Sequence, residues 1–97
     1  MPPVIFAPAA LRDLQRLREF LRPKSPQVAQ RAATTIQLSL RQLAAQPSMG
    51  RPIEGLPEAF RGWVIPLGDS GYLARYRIEP DVIVVLAVRH QREVGYS

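Results

Sequence analysis

The chain has 97 residues, enough for one domain spanning 1–97 and one core. It holds no cysteine and a single histidine, His90, which excludes a disulfide framework, a thiolate nucleophile and any Cys- or His-rich metal site. Twelve arginines and one lysine against eight acids leave a net charge of +5, which attracts acidic partners, whether nucleic acid or an acidic protein.

The opening "MPPVIFAPAALRD" lacks a basic segment ahead of its apolar stretch, and no apolar run approaches the ~20 residues of a membrane span. The expectation is a cytoplasmic protein that needs no membrane. Val4-Ile5-Phe6 reads as a short strand, and Pro8 is well placed to start a helix. Leu11, Leu14, Leu17 and Leu21 then recur at spacings of three, three and four, a single stripe on an amphipathic helix over 8–22. Arg12, Asp13, Gln15, Arg16, Arg18 and Glu19 fall elsewhere around the turn, and its arginines form a solvated face.

In "RPKSPQ", Pro23 stops this helix, Ser25 caps the next and Pro26 suits its first position. The second helix is expected to run to about Gln46, burying Val28, Ala29, Ala32, Ala33, Ile36, Leu40, Leu43 and Ala44. A break this short makes the pair an antiparallel hairpin. "PSMGRPIEGLPE" is a loop in which Gly50 and Pro52 serve chain reversal.

Beyond it the period changes to two. Phe60–Ile65 reads as a strand that Pro66 marks as an edge. After the "GDSG" turn, "YLARYRI" alternates, with Tyr72, Ala74, Tyr76 and Ile78 on one side and Leu73, Arg75 and Arg77 on the other. The two tyrosines belong to the core. After the "EPD" turn, Val82–Val88 is apolar at seven consecutive positions, the pattern of a central strand covered on both faces. The fold class is therefore α+β. A short N-terminal strand and an antiparallel helical hairpin pack on one face of a mainly antiparallel sheet.

The hairpin with its leucine stripe, "LAAQPSMGRPIEGLPEAFR", "YLARYRI" and the apolar strand entering "VRHQRE" together resemble the RelE/ParE superfamily of toxins. "MGRP" and "VRH" are more similar to the ParE branch than to the RelE branch. The resemblance implies a growth-inhibiting toxin of a bacterial type II toxin–antitoxin system, held in a hetero-oligomer by a small acidic antitoxin. It also implies DNA gyrase as the usual target of the ParE branch, and ribosome-dependent messenger-RNA cleavage for the RelE branch. No cofactor is implied. The common ParE ending sets histidine and arginine three apart, whereas His90 and Arg92 are two apart.

Two chemistries follow. As a metal-free nuclease the chain would use His90 or Glu93 as base and Tyr96 as acid. Arg61, Arg75, Arg77 and Arg92 would clamp the phosphate, and Trp63 would stack a base. As a binding protein it would present Arg61, Trp63, Arg75, Arg77, Arg89, His90 and Arg92 to target or antitoxin, with Arg61 lying across from Arg75 and Arg77 on one sheet face. A polar tail after a buried strand is ordinary, so the binding reading is preferred and no residue is assigned a catalytic role. A third reading, a non-toxic nucleic-acid-binding module, lacks a Gly-rich phosphate loop, a zinc-finger pattern or an RNA-binding aromatic motif.

Overall fold

The computed structural model describes residues 2–67 and 70–90. Strand β1 (Val4–Phe6) leads into helix α1 (Pro8–Leu21) and helix α2 (Pro26–Arg41). Tight helical turns at Gln42–Ala44 and Pro47–Met49 precede a two-residue strand β2 (Arg51–Pro52). Strands β3 (Phe60–Leu67), β4 (Ser70–Ile78) and β5 (Ile83–His90) complete a five-stranded sheet ordered β1-β5-β4-β3-β2. Only the β1–β5 pair is parallel. The α+β expectation holds.

Local chemistry explains the hairpin. The Ser25 hydroxyl accepts the Val28 amide at 3.3 Å, and Pro26 occupies the first turn, where its missing N–H costs nothing. Ala29, Ala32, Ala33, Ile36 and Leu40 line the buried side of α2, and Leu43 continues it through the first tight turn. That tightening ends α2 at Arg41 rather than near Gln46, and Val28 is left half exposed.

In α1 the buried positions are Ala10, Asp13, Leu14 and Leu17. Leu11, assigned to the stripe by spacing, is 52 % exposed, and Asp13, placed off the leucine stripe, is 5 % exposed. The stripe through Ala10, Asp13, Leu14, Leu17 and Leu21 fits the helical period better, at steps of three, one, three and four.

Directly paired strand residues share a face, so the register divides the sheet cleanly. Toward the helices stand the rows Phe6–Val85–Tyr76–Arg61, Val88–Ala74–Trp63 and His90–Tyr72–Ile65. On the open face stand Ile5–Val84–Arg77–Phe60, Ala87–Arg75–Gly62 and Arg89–Leu73–Val64. Between Arg75 and Tyr76 the β5 partner jumps from Ala87 to Val85, leaving Leu86 as an extra residue. This bulge resets the alternation of β5. The seven-residue apolar run is therefore not covered on both faces: the helices cover Ile83, Val85 and Val88, and Val84, Leu86 and Ala87 stay partly open. Beyond the Pro52–Arg61 and Arg51–Gly62 pairs, β3 has no further partner on its outer side among the described residues, as Pro66 suggested.

Candidate partner-binding site

The register separates residues that the sequence grouped together. Arg61 shares the row of Tyr76, on the helix side, while Arg75 and Arg77 lie on the open face. A pairing shifted by one residue would have placed all three together, because successive strand residues point to opposite faces. Arg61 instead serves the fold. Its Nη1 donates to the Gly50 carbonyl at 3.0 Å, and its side chain is only 14 % exposed. Its Nη2 lies 3.9 Å from Glu58, a weak and solvent-exposed pairing. Trp63 packs against the core rather than presenting an open ring.

Around Arg61 the loop after α2 is pinned to the sheet. The buried Tyr76 hydroxyl donates to the Pro47 carbonyl at 2.6 Å and accepts the Gly50 amide at 2.8 Å. Burial pushes the Tyr76 phenol above its ordinary value, against the Gly50 hydrogen bond and the nearby Arg61 charge. A Cβ on Gly50 would sit 2.6 Å from the Tyr76 oxygen and 2.8 Å from the Gly62 carbonyl. Gly50 is thus required by close approach, not by chain reversal; the left-handed turn falls on Gly55, at φ 86°.

The open face combines cations with apolar surface. Arg77 and Arg75 occupy two successive rows, and the backbone of Arg89 the third, among Ile5, Phe60, Val64, Leu73 and Val84. Arg77 lies over the Phe60 ring at 5.8 Å and pairs with Glu79 at 2.6 Å through Nε, which fixes its plane. Ile5 and Val64 are each nearly half exposed. Arg89 also reaches round the strand edge, with its Nε 3.2 Å from an oxygen of Asp13. On the other side His90 meets Tyr72 edge-to-face, with ring centroids 5.0 Å apart.

His90 and Arg61 stand well apart on the helix side of the sheet. Their β4 partners are Tyr72 and Tyr76, four residues or about 13 Å along the strand, and they sit on β5 and β3, two strands apart. Arg92, Glu93 and Tyr96 lie outside the described residues, as do Gly68 and Asp69 of the expected turn. Among the described residues, no cluster of three or more His, Cys, Asp or Glu could hold a metal ion. Asp13, Gly50 and Phe60 were not singled out as functional by spacing; Asp13 carried a signal, being an acid on the apolar side of α1.

A family model described as the ParE toxin of the type II toxin–antitoxin system parDE matches residues 4–95. The chain belongs to the ParE toxin family. Toxin RelE3 of Caulobacter vibrioides is 34 % identical to it over 93 residues, covering 96 % of this chain and 98 % of that protein. Toxin RelE1 of the same organism is 31 % identical over 90 residues, covering 93 % and 94 %. In fold, the toxin is similar to a chain of the chromosomal ParDE toxin–antitoxin system from P. aeruginosa. That likeness has a TM-score of 0.74 at 22 % identity, covering 93 % of this chain and 96 % of that one. The RelE/ParE resemblance drawn from "MGRP", "YLARYRI" and "VRH" is therefore correct at the level of the family.

Proposed function

We propose that this ParE-family toxin acts in the cytoplasm by binding its target rather than by cutting a substrate. The target is DNA gyrase, and a cognate acidic antitoxin neutralises the toxin in a hetero-oligomer. The observation that carries the reading is the open sheet face, where Arg75 and Arg77 stand in successive rows within apolar surface. An amphipathic segment with acidic side chains fits such a face. Its apolar residues cover Ile5, Val64 and Leu73, and its carboxylates form fork-like contacts with the guanidinium groups. A disordered antitoxin segment that folds on binding offers both features.

The nuclease alternative needs base, acid and cationic clamp within reach of one phosphate. Arg61 is committed to Gly50 on the opposite face from Arg75 and Arg77, so the expected clamp is divided. Binding needs no such convergence. Antitoxin and target compete for part of the open face.

The test is to add purified toxin to gyrase supercoiling reactions and, in parallel, to a translating extract. Loss of supercoiling with intact messages is the expected result, and pre-mixing with the antitoxin restores activity. Cleaved messages with normal supercoiling overturn the gyrase reading and favour ribosome-dependent cleavage.

A further inference from the structure

Asp13 is the one buried charged residue among those described, and the binding reading makes no use of it. Its surroundings are specific. Oδ2 accepts the Val88 amide at 3.0 Å, and Oδ1 lies 3.2 Å from Arg89 Nε and 3.3 Å from Arg16 Nη2. The reason lies in the topology. Strand β1 ends at Phe6, opposite Val85, so β5 loses its neighbour on that side just before Val88. A buried amide without a partner is destabilising, and here a side chain from α1 takes the place of the missing strand. The same carboxylate then holds the Arg89 side chain, which is still 44 % exposed.

From this geometry we infer that Asp13 is a positioning residue, fixing the direction in which the last residues of β5 present Arg89 to a bound target. The inference rests on the gyrase-binding reading. One carboxylate linking a helix, a strand amide and a half-exposed guanidinium sets both the place and the plane of that guanidinium. Loss of the charge frees Arg89 to sample several rotamers, and ordering it again on binding weakens the complex. Antitoxin that covers Arg75, Arg77 and Leu73 depends less on this one orientation.

The experiment compares wild type, Asp13→Asn and Asp13→Glu. Its readouts are the half-inhibitory concentration in gyrase supercoiling, antitoxin affinity, and the exchange protection of the Arg89 Nε–H by NMR. Asn keeps an acceptor for the Val88 amide and loses the charge. Asp13→Asn is expected to fold, to bind antitoxin within about threefold of wild type, to lose Nε–H protection, and to need at least tenfold more toxin for half inhibition. Asp13→Glu is expected to fall between. A folded Asn variant as inhibitory as wild type overturns the inference, as does an unchanged Nε–H. Should Asn not fold, Glu decides: a displaced Arg89 with full inhibition overturns it, and a displaced Arg89 with weaker inhibition supports it. Failure of the wild type to inhibit gyrase appears in a different lane and sinks the gyrase reading first.

Discussion

Arg61 and Arg75 stand on adjacent strands, one residue out of register, and their surroundings have little in common. Arg61 points beneath the loop after α2 and donates to a backbone carbonyl in a site that water hardly reaches. Arg75 points to the open face, between Ala87 and Gly62, beside Leu73 and Val64 one row away. The same side chain holds the fold in one place and offers a surface in the other. In this sheet the face, not the residue type, decides which. Variants on the helix side should therefore act on stability, and variants on the open face on affinity.

The largest effect is expected at Gly50. Gly50→Ala forces a methyl against the Tyr76 hydroxyl and a backbone carbonyl, neither of which can move without breaking the loop dock. Urea unfolding should show a loss of about 3 kcal/mol, the upper end for overpacking. A loss under 0.5 kcal/mol would mean the loop is not held as described.

Arg61→Ala comes next. It removes a charge-assisted bond and leaves the Gly50 carbonyl to find water, at about 2 kcal/mol. Folded Arg61→Ala protein should nevertheless bind antitoxin as wild type does. Weakened binding in material that is fully folded would place Arg61 back among the contact residues and blur the distinction between the faces.

The reverse pattern is expected on the open face. The double variant Arg75→Glu/Arg77→Glu should change unfolding free energy by less than about 1 kcal/mol, since neither guanidinium is deeply buried. Its antitoxin affinity should fall at least tenfold, about 1.4 kcal/mol, with a shallower salt dependence in calorimetry. Wild-type affinity in this variant would remove the open face as the docking surface.

How much of this was legible in the sequence follows from how local each determinant is. The hairpin was readable because Ser25 and Pro26 act within one turn of the helix they start. The faces of β4 were readable because alternation is a property of one strand. The face of Arg61 was not, since it depends on which residue of β4 pairs with it, and a shift of one reverses the answer. The Leu86 bulge hid a second feature: a continuous apolar run looked like double coverage, when half of it borders the open face. Asp13 shows the third limit. Leucine spacing left this acid off the stripe, and its burial makes sense only once the end of β1 and the Val88 amide it accepts are known.

The smallest effect is the alkaline change governed by the Tyr76 hydroxyl, and it sharpens the comparison because only a helix-side group should produce it. Burial raises the phenol above its ordinary value of 10.0 in the folded protein. Below that pH both folded and unfolded chains keep the proton, and stability is independent of this group. As the pH rises past 10, the unfolded phenol ionises first, so the native state binds more protons and stability falls until the native phenol ionises too. Tyr76→Phe is less stable at neutral pH, because the Gly50 amide and the Pro47 carbonyl lose a partner. It also lacks the alkaline loss. The stability gap between the two proteins should therefore narrow between pH 9 and 11, as read by urea midpoints at matched salt. The open-face variant, with Tyr76 intact, should retain the wild-type alkaline slope, so a parallel course for wild type and Tyr76→Phe would show that the buried hydroxyl does not govern it.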